Sequence, residues 1–160
     1  MFVCQEHAGD DSDRGCPGPD LLDPEGSRRA DRARIAGFAR IVLDASVVVE
    51  LLTNGPLAEA IARDLAGDGD SFLVPHLLDV EVSSALRKLV AGRRTGAHRS
   101  REFLAGLAAL PAGRYSHVPF RGRIWELRHS FTAYDAAYIA LAEATGAVLY
   151  TCDAKLRQLT

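Results

Sequence analysis

From residue 40 onward, short apolar runs of strand character alternate with longer stretches of helical periodicity. That alternation narrows the possible folds more than any other feature. "RIVLD" (40–44) and "SFLVP" (71–75) have strand length and end at Asp44 and Pro75. "YSHVPF" (115–120) reads as a third strand and "AVLYTCD" (147–153) as a fourth. Between the first two lie "ASVVVELLTN", which runs into the stop-and-turn signal Asn54-Gly55-Pro56, and "GPLAEAIARDLAG". "HLLDVEVSSALRKLVAG" sets Leu78, Val82, Ala85 and Leu89 on one helical stripe. "REFLAGLAAL", stopped by Pro111, and "RIWELRHSF" follow as helices. "TAYDAAYIALAEATG" is apolar on most of its faces and predicts a central helix. Strands separated by helices predict an α/β domain built on a mainly parallel sheet.

The chain has 160 residues and a formal net charge of −2, a size that predicts one globular domain at about 39–160. Residues 1–38, rich in Gly, Pro, Asp and Arg and poor in aliphatics, read as a disordered extension. The chain contains no apolar run near the roughly 20 residues that span a bilayer, and its start lacks the basic and apolar segments of a secretory signal. Cys4, Cys16 and Cys152 form no C-x-x-C pair. They argue against a disulfide scaffold or a structural zinc site and fit a cytoplasmic protein.

Charge is unevenly spread. Residues 41–84 hold eight acids against one base, Arg63, whereas residues 85–128 hold ten bases against two acids. A basic segment of this kind binds polyanions or merely solvates helix faces. Arg87, Lys88, Arg93 and Arg94 are its candidates for phosphate contact. Such contacts give salt-sensitive affinity with little sequence preference.

Four acids occupy distinctive places. Asp44 ends the first strand, Asp153 follows the fourth, Glu81 sits on the helix after the second strand, and Asp135 lies near the start of the central helix. Ligands of open α/β sheets bind outside the carboxyl ends of the strands, so the four can meet at one end of the sheet. Local roles compete with that reading. Asp44, Asp153 and the pair Thr132-x-x-Asp135 all suit helix capping, and Glu81 suits a rim position with its stem snorkelling. Ser46 reads either as a partner for a carboxylate or phosphate or as a capping hydroxyl. Trp125 and Tyr134 read first as core residues, with base stacking as the alternative.

In this order the four acids, in "IVLDASVVVELL", "LLDVEVSSALRKLV", "TAYDAAYIALAEATG" and "LYTCDAKL", resemble the PIN-domain family of metal-dependent nucleases over about residues 40–160. The single-domain VapC-type toxins of bacterial VapBC toxin–antitoxin pairs are the nearest pattern. The resemblance implies a three-layer α/β/α sandwich with strand order 3-2-1-4-5, an endoribonuclease that inhibits translation and growth, and a VapB-type antitoxin as partner. A homodimer or a toxin–antitoxin hetero-oligomer follows from it as well. Two features depart from the family pattern: the N-terminal extension, and an apparently absent fifth strand.

Clustered carboxylates repel and call for a cation, and all-oxygen ligation selects Mg²⁺, with Mn²⁺ as a substitute. Asp44 and Asp135 are the expected metal ligands, with Glu81 and Asp153 completing the catalytic set. The resemblance implies that metal-activated water attacks the scissile phosphorus and leaves a 5′-phosphate. One rival is phosphoryl transfer on Asp44, although the dehalogenase-like pattern wants a second Asp where Ser46 stands. The other is a PIN-like module that binds RNA or antitoxin without cutting.

Overall fold

The structure, a computed structural model, describes residues 39–67 and 70–157; the extension expected over 1–38 lies outside the described residues. Four strands form one parallel sheet: β1 (Arg40–Leu43), β2 (Ser71–Pro75), β3 (Ala112–Tyr115) and β4 (Val148–Tyr150), in the order β3-β2-β1-β4. The helices are α1 (Ala45–Thr53), α2 (Ala58–Asp64), α3 (Leu77–Ala91), α4 (Ala97–Ala108), α5 (Arg121–Glu126), α6 (Ala133–Thr145) and α7 (Ala154–Arg157). The first four positions of the expected strand order are present, and no fifth strand occurs among the described residues.

Chain direction and handedness place the helices. From β1 the chain steps outward to β2 and β3, then returns past β1 to β4. Crossovers between parallel strands are right-handed, so reversing the direction of travel moves the connecting helices to the other face. α1 packs against α2, α3 and α4, and α5 against α6. The strand order reverses between β1 and β4, which makes the carboxyl ends of these two strands the switch-point crevice.

Burial follows the sequence pattern. Ile41, Val42 and Leu43 of β1 are buried, as a central parallel strand covered on both faces requires. In α6 every residue from Ala136 to Ala142 is buried. Its alanines let it lie close on the sheet, where it contacts β1, β2 and β4. Thr132 caps its start by accepting from Asp135 N at 3.2 Å, and Gly146 ends it at φ 64.

Four expectations differ from the structure. The third strand is Ala112–Tyr115 rather than 115–120, and Val118–Phe120 forms a 3₁₀ turn. Pro119 has no N–H to give to a ladder, whereas Arg114 in the true strand donates twice to Asp79 of α3, at 2.9 and 3.1 Å, and once to Leu107 O at 2.9 Å. The buried stripe of α3 is Leu78, Val82 and Leu86, not Ala85 and Leu89. α4 starts at Ala97, four residues before the segment read as helical. The helix at 123–131 is α5 followed by a 3₁₀ turn, Leu127–His129.

Candidate active site

Asp44 leaves β1 at the switch point. Its N–H donates to Tyr150 O at 3.0 Å and extends the β1–β4 ladder by one residue beyond the Leu43–Tyr150 pair. That register brings Thr151 beside it. Thr151 Oγ1 donates to Asp44 Oδ2 at 2.7 Å, and Ser46 Oγ donates to the same oxygen at 2.5 Å. Cys152 N in turn donates to Ser46 Oγ at 3.1 Å. Asp44 is 8% exposed and Thr151 fully buried. The Asp44 side chain makes no bond to the N-terminal amides of α1, so capping does not explain it, and Ser46 serves the carboxylate.

Glu81 sits half-buried in the second turn of α3. Tyr138, from the middle of α6, donates its hydroxyl to Glu81 Oε2 at 2.6 Å. Burial raises the Glu81 pKa, the Tyr138 bond partly offsets this, and the charges of Asp44 and Asp135 raise it further. Burial, together with the Glu81 carboxylate, holds the Tyr138 phenol well above its ordinary range, so it remains a donor. Asp44, Glu81 and Asp135 therefore share one electrostatic neighbourhood.

Asp135 does take part in the capping box: besides its amide bond, its Oδ2 accepts from Thr132 Oγ1 at 2.8 Å. Asp153 is exposed and caps α7, accepting from Lys155 N through Oδ1 at 2.8 Å. Its own N–H donates to Thr151 Oγ1 at 3.0 Å, which ties it to the Asp44 network.

One property unites the four acids. Each is fixed through a single oxygen: Asp44 Oδ2, Glu81 Oε2, Asp135 Oδ2 and Asp153 Oδ1. Among the described residues, the other oxygen of each makes no hydrogen bond. A cavity of about 360 Å³, lined by Ser46, Val49, Glu81, Ala85 and Cys152 among others, opens between α1 and α3 beside them.

The basic candidates are less closely gathered. Arg87, Lys88, Arg93 and Arg94 are all exposed. Lys88 stands on the Glu81 side of α3, two turns on, while Arg87 is turned roughly 120° away. Arg93, at φ 54, and Arg94 close the end of α3 by donating from their amides to Val90 O and Leu89 O. At 1.5 Å per residue, they lie about 18 Å from Glu81 along the helix. Trp125 and Tyr134 are not core residues: they are 68% and 58% exposed.

Sequence reasoning missed Thr151 and Tyr138. A hydroxyl one residue beyond an apolar strand, and a tyrosine on a helix buried all round, are the signals that could have found them. A buried Tyr hydroxyl requires a partner.

A parallel α/β sheet with an acidic switch point defines the class, and comparison with known proteins gives the family. The family model described as PIN domain matches residues 41–160. The chain is 40% identical to Ribonuclease VapC12 of Mycobacterium tuberculosis over 118 residues, covering 74% of this chain and 90% of that protein. It is 41% identical to Ribonuclease VapC9 of the same organism over 116 residues, covering 72% and 87%. Among solved structures, Mycobacterium tuberculosis VapC20, described as a Sarcin-Ricin loop cleaving toxin, superposes with a TM-score of 0.59. It is 17% identical, with 74% and 93% of the two chains covered. VapBC2 from Rickettsia felis, solved bound to a DNA fragment from its promoter, superposes at 0.54 and 12% identity, covering 75% and 92%. The chain belongs to the PIN-domain family.

Proposed function

We propose that this protein is an endoribonuclease of the VapC type, the toxin of a toxin–antitoxin pair, with Asp44, Glu81, Asp135 and Asp153 as its catalytic carboxylates. What supports the reading is that Asp44, Glu81 and Asp135 share one electrostatic neighbourhood, that Asp153 is tied to Asp44 through Thr151, and that each of the four is held through one oxygen only. The donor set is all-oxygen and anionic, which fits Mg²⁺ or Mn²⁺. Among the described residues, no three His, Cys, Asp or Glu side chains already stand at ligand spacing. Mg²⁺ commonly keeps several of its waters, so Asp44 and Asp135 would hold it directly and the others through water. When bound, the cation supplies positive charge at the scissile phosphate and acidifies water at the site.

The protein's own contribution is orientation. Ser46 and Thr151 hold Asp44 by one oxygen and leave the other without a hydrogen bond among the described residues. Tyr138 does the same for Glu81, whose raised pKa suits it to take a proton from an attacking water. The Asp135 oxygen is steadied by Thr132. A VapB-type antitoxin is the partner this reading implies, and a basic side chain inserted among the acids is the contact that would silence them.

The test is cleavage of total RNA by the purified chain with and without Mg²⁺ or Mn²⁺, beside Asp44→Asn and Asp135→Asn. Metal-dependent cleavage that drops by roughly 10²–10³-fold or more in either variant is expected, the scale on which site charges act. Cleavage that survives chelation, or full activity in Asp44→Asn, would sink the proposal.

A further inference from the structure

A second cavity, also about 360 Å³, is lined by residues of α3, α5 and α6. It runs between the start of α3, the start of α6 and the whole of α5, with Leu77, Ile124, Trp125 and Tyr134 in its lining and Arg121 and Arg128 at its edge. Leu77 is one turn before Glu81 on α3, and Tyr134 adjoins Asp135 on α6. Two of its lining residues thus stand within one helical turn of an acid in the chain, although neither Glu81 nor Asp135 itself lines the cavity.

Its chemistry differs from the rest of the surface. Trp125 and Tyr134 expose large aromatic faces with no core to fill. The Arg128 guanidinium lies over the Trp125 ring, 4.8 Å from its centre, and donates to Trp125 O at 2.8 Å. Arg121 donates only to the Val118 carbonyl, at 3.2 Å. Among the described residues, neither arginine has a carboxylate within ion-pairing distance. The neighbouring bases of the same segment do: Arg114 is paired with Asp79, and Arg123 with Glu143 and Glu126. Of the four arginines between residues 114 and 128, the two without a carboxylate partner are the two that line the aromatic cavity.

We propose that this cavity is the nucleobase subsite of the RNA substrate, in which an unpaired base next to the scissile phosphate stacks on Trp125 and Tyr134 while Arg121 and Arg128 take its flanking phosphates. The inference rests on the ribonuclease reading above. Exposed aromatic faces interleaved with unpaired arginines are what single-stranded nucleic acid requires: a stacking surface for any base and cations for the backbone. Duplex RNA offers no unstacked base to such a surface, so the site favours loops and single strands. A protein segment docking here would be favoured by an acidic, aliphatic partner. The two exposed aromatic faces beside unpaired arginines favour a base instead.

Trp125 is the chain's one tryptophan, so its emission reports on this cavity alone. The inactive Asp44→Asn protein is titrated with a short single-stranded RNA of mixed sequence, and separately with polyphosphate, which carries the charge without bases. Quenching by RNA but not by polyphosphate is expected. In the otherwise wild-type chain, Trp125→Ala and Tyr134→Ala should each weaken labelled-RNA binding by roughly 5- to 100-fold, the scale of one lost stacking contact. The loss should appear in KM more than in kcat, and Trp125→Phe should recover part of it. The subsite is overturned if RNA is bound and cleaved while emission stays constant and both alanine variants behave as wild type. It is equally overturned if polyphosphate quenches as well as RNA does, or if only a co-expressed antitoxin alters emission. Absence of any RNA binding or cleavage by the wild type would instead bring down the ribonuclease reading, and this inference with it.

Discussion

Two groups of acids in this molecule are wired in opposite ways. On the flanks, Asp79 gives both oxygens to Arg114, and Glu143 gives both of its own to Arg123, at 2.7 and 2.9 Å. These carboxylates are neutralised where they stand and tie elements together. At the switch point, the hydrogen-bond partners of the Asp44, Glu81 and Asp135 side chains are hydroxyl groups, which fix direction without cancelling charge. A guanidinium closes a carboxylate, and a hydroxyl aims it. Exposure does not separate the groups, for Asp44 is buried and Asp153 is exposed, but the bonding pattern does.

That contrast can be broken from either side. After loss of Asp44 or Asp135 themselves, the largest effect should come from Thr151→Val, which keeps the shape of the side chain and removes a hydroxyl that aims Asp44. Partners of this kind are worth about 10–100-fold in metal affinity or activity. The apparent Mg²⁺ requirement for RNA cleavage should rise accordingly, and an unchanged Mg²⁺ titration would show that the hydroxyl is only packing. Asp79→Asn should do the reverse. It should cost about 1 kcal/mol or less of stability in denaturant unfolding, because the pair is partly exposed, and leave cleavage as it was. A loss of cleavage at equal foldedness would erase the distinction between the two groups.

The smallest effect on stability concerns Glu81, and its sign is the informative part. Its folded pKa stands above the ordinary 4.5, so the folded state holds the proton more tightly than the unfolded chain does. Stability from this group is complete below the unfolded value and is lost as pH rises through the folded one. At neutral pH the ionised side chain is therefore destabilising. Glu81→Gln keeps an acceptor for Tyr138 and should raise Tm by a few degrees in metal-free buffer, by differential scanning fluorimetry, even as it removes activity. Mg²⁺ should raise the Tm of the wild type more than that of the variant. A variant that melts lower without metal would mean that the charge is already compensated within the protein.

The legible parts of this molecule were those set by neighbours in sequence. β1 and β2 declare themselves because Ile41, Val42, Leu43, Leu73 and Val74 are contiguous and apolar. Asp44, Glu81, Asp135 and Asp153 stand out because acids at those points interrupt such runs. β3 is "AGRY", an edge strand of low intrinsic strand preference, specified by pairing with β2 and by the reach of Arg114 to α3. The more apolar "YSHVPF" drew the reading instead. Thr151 and Tyr138 were hidden for a related reason: their partners are 107 and 57 residues away, beyond any local pattern. Counting bases could not separate Arg114 and Arg123, consumed by internal acids, from Arg121 and Arg128.

The 107-residue span between Asp44 and Thr151 also sets a schedule. At roughly 5–20 residues per second of synthesis, Asp44 waits about 5–20 s on the ribosome for the strand that completes its surroundings. Until then β1 lacks the neighbour on its β4 edge, and the first acid made has no Thr151 to aim it. In a nascent chain of this protein, the Asp44 carboxylate is not fully held until β4 and Thr151 arrive.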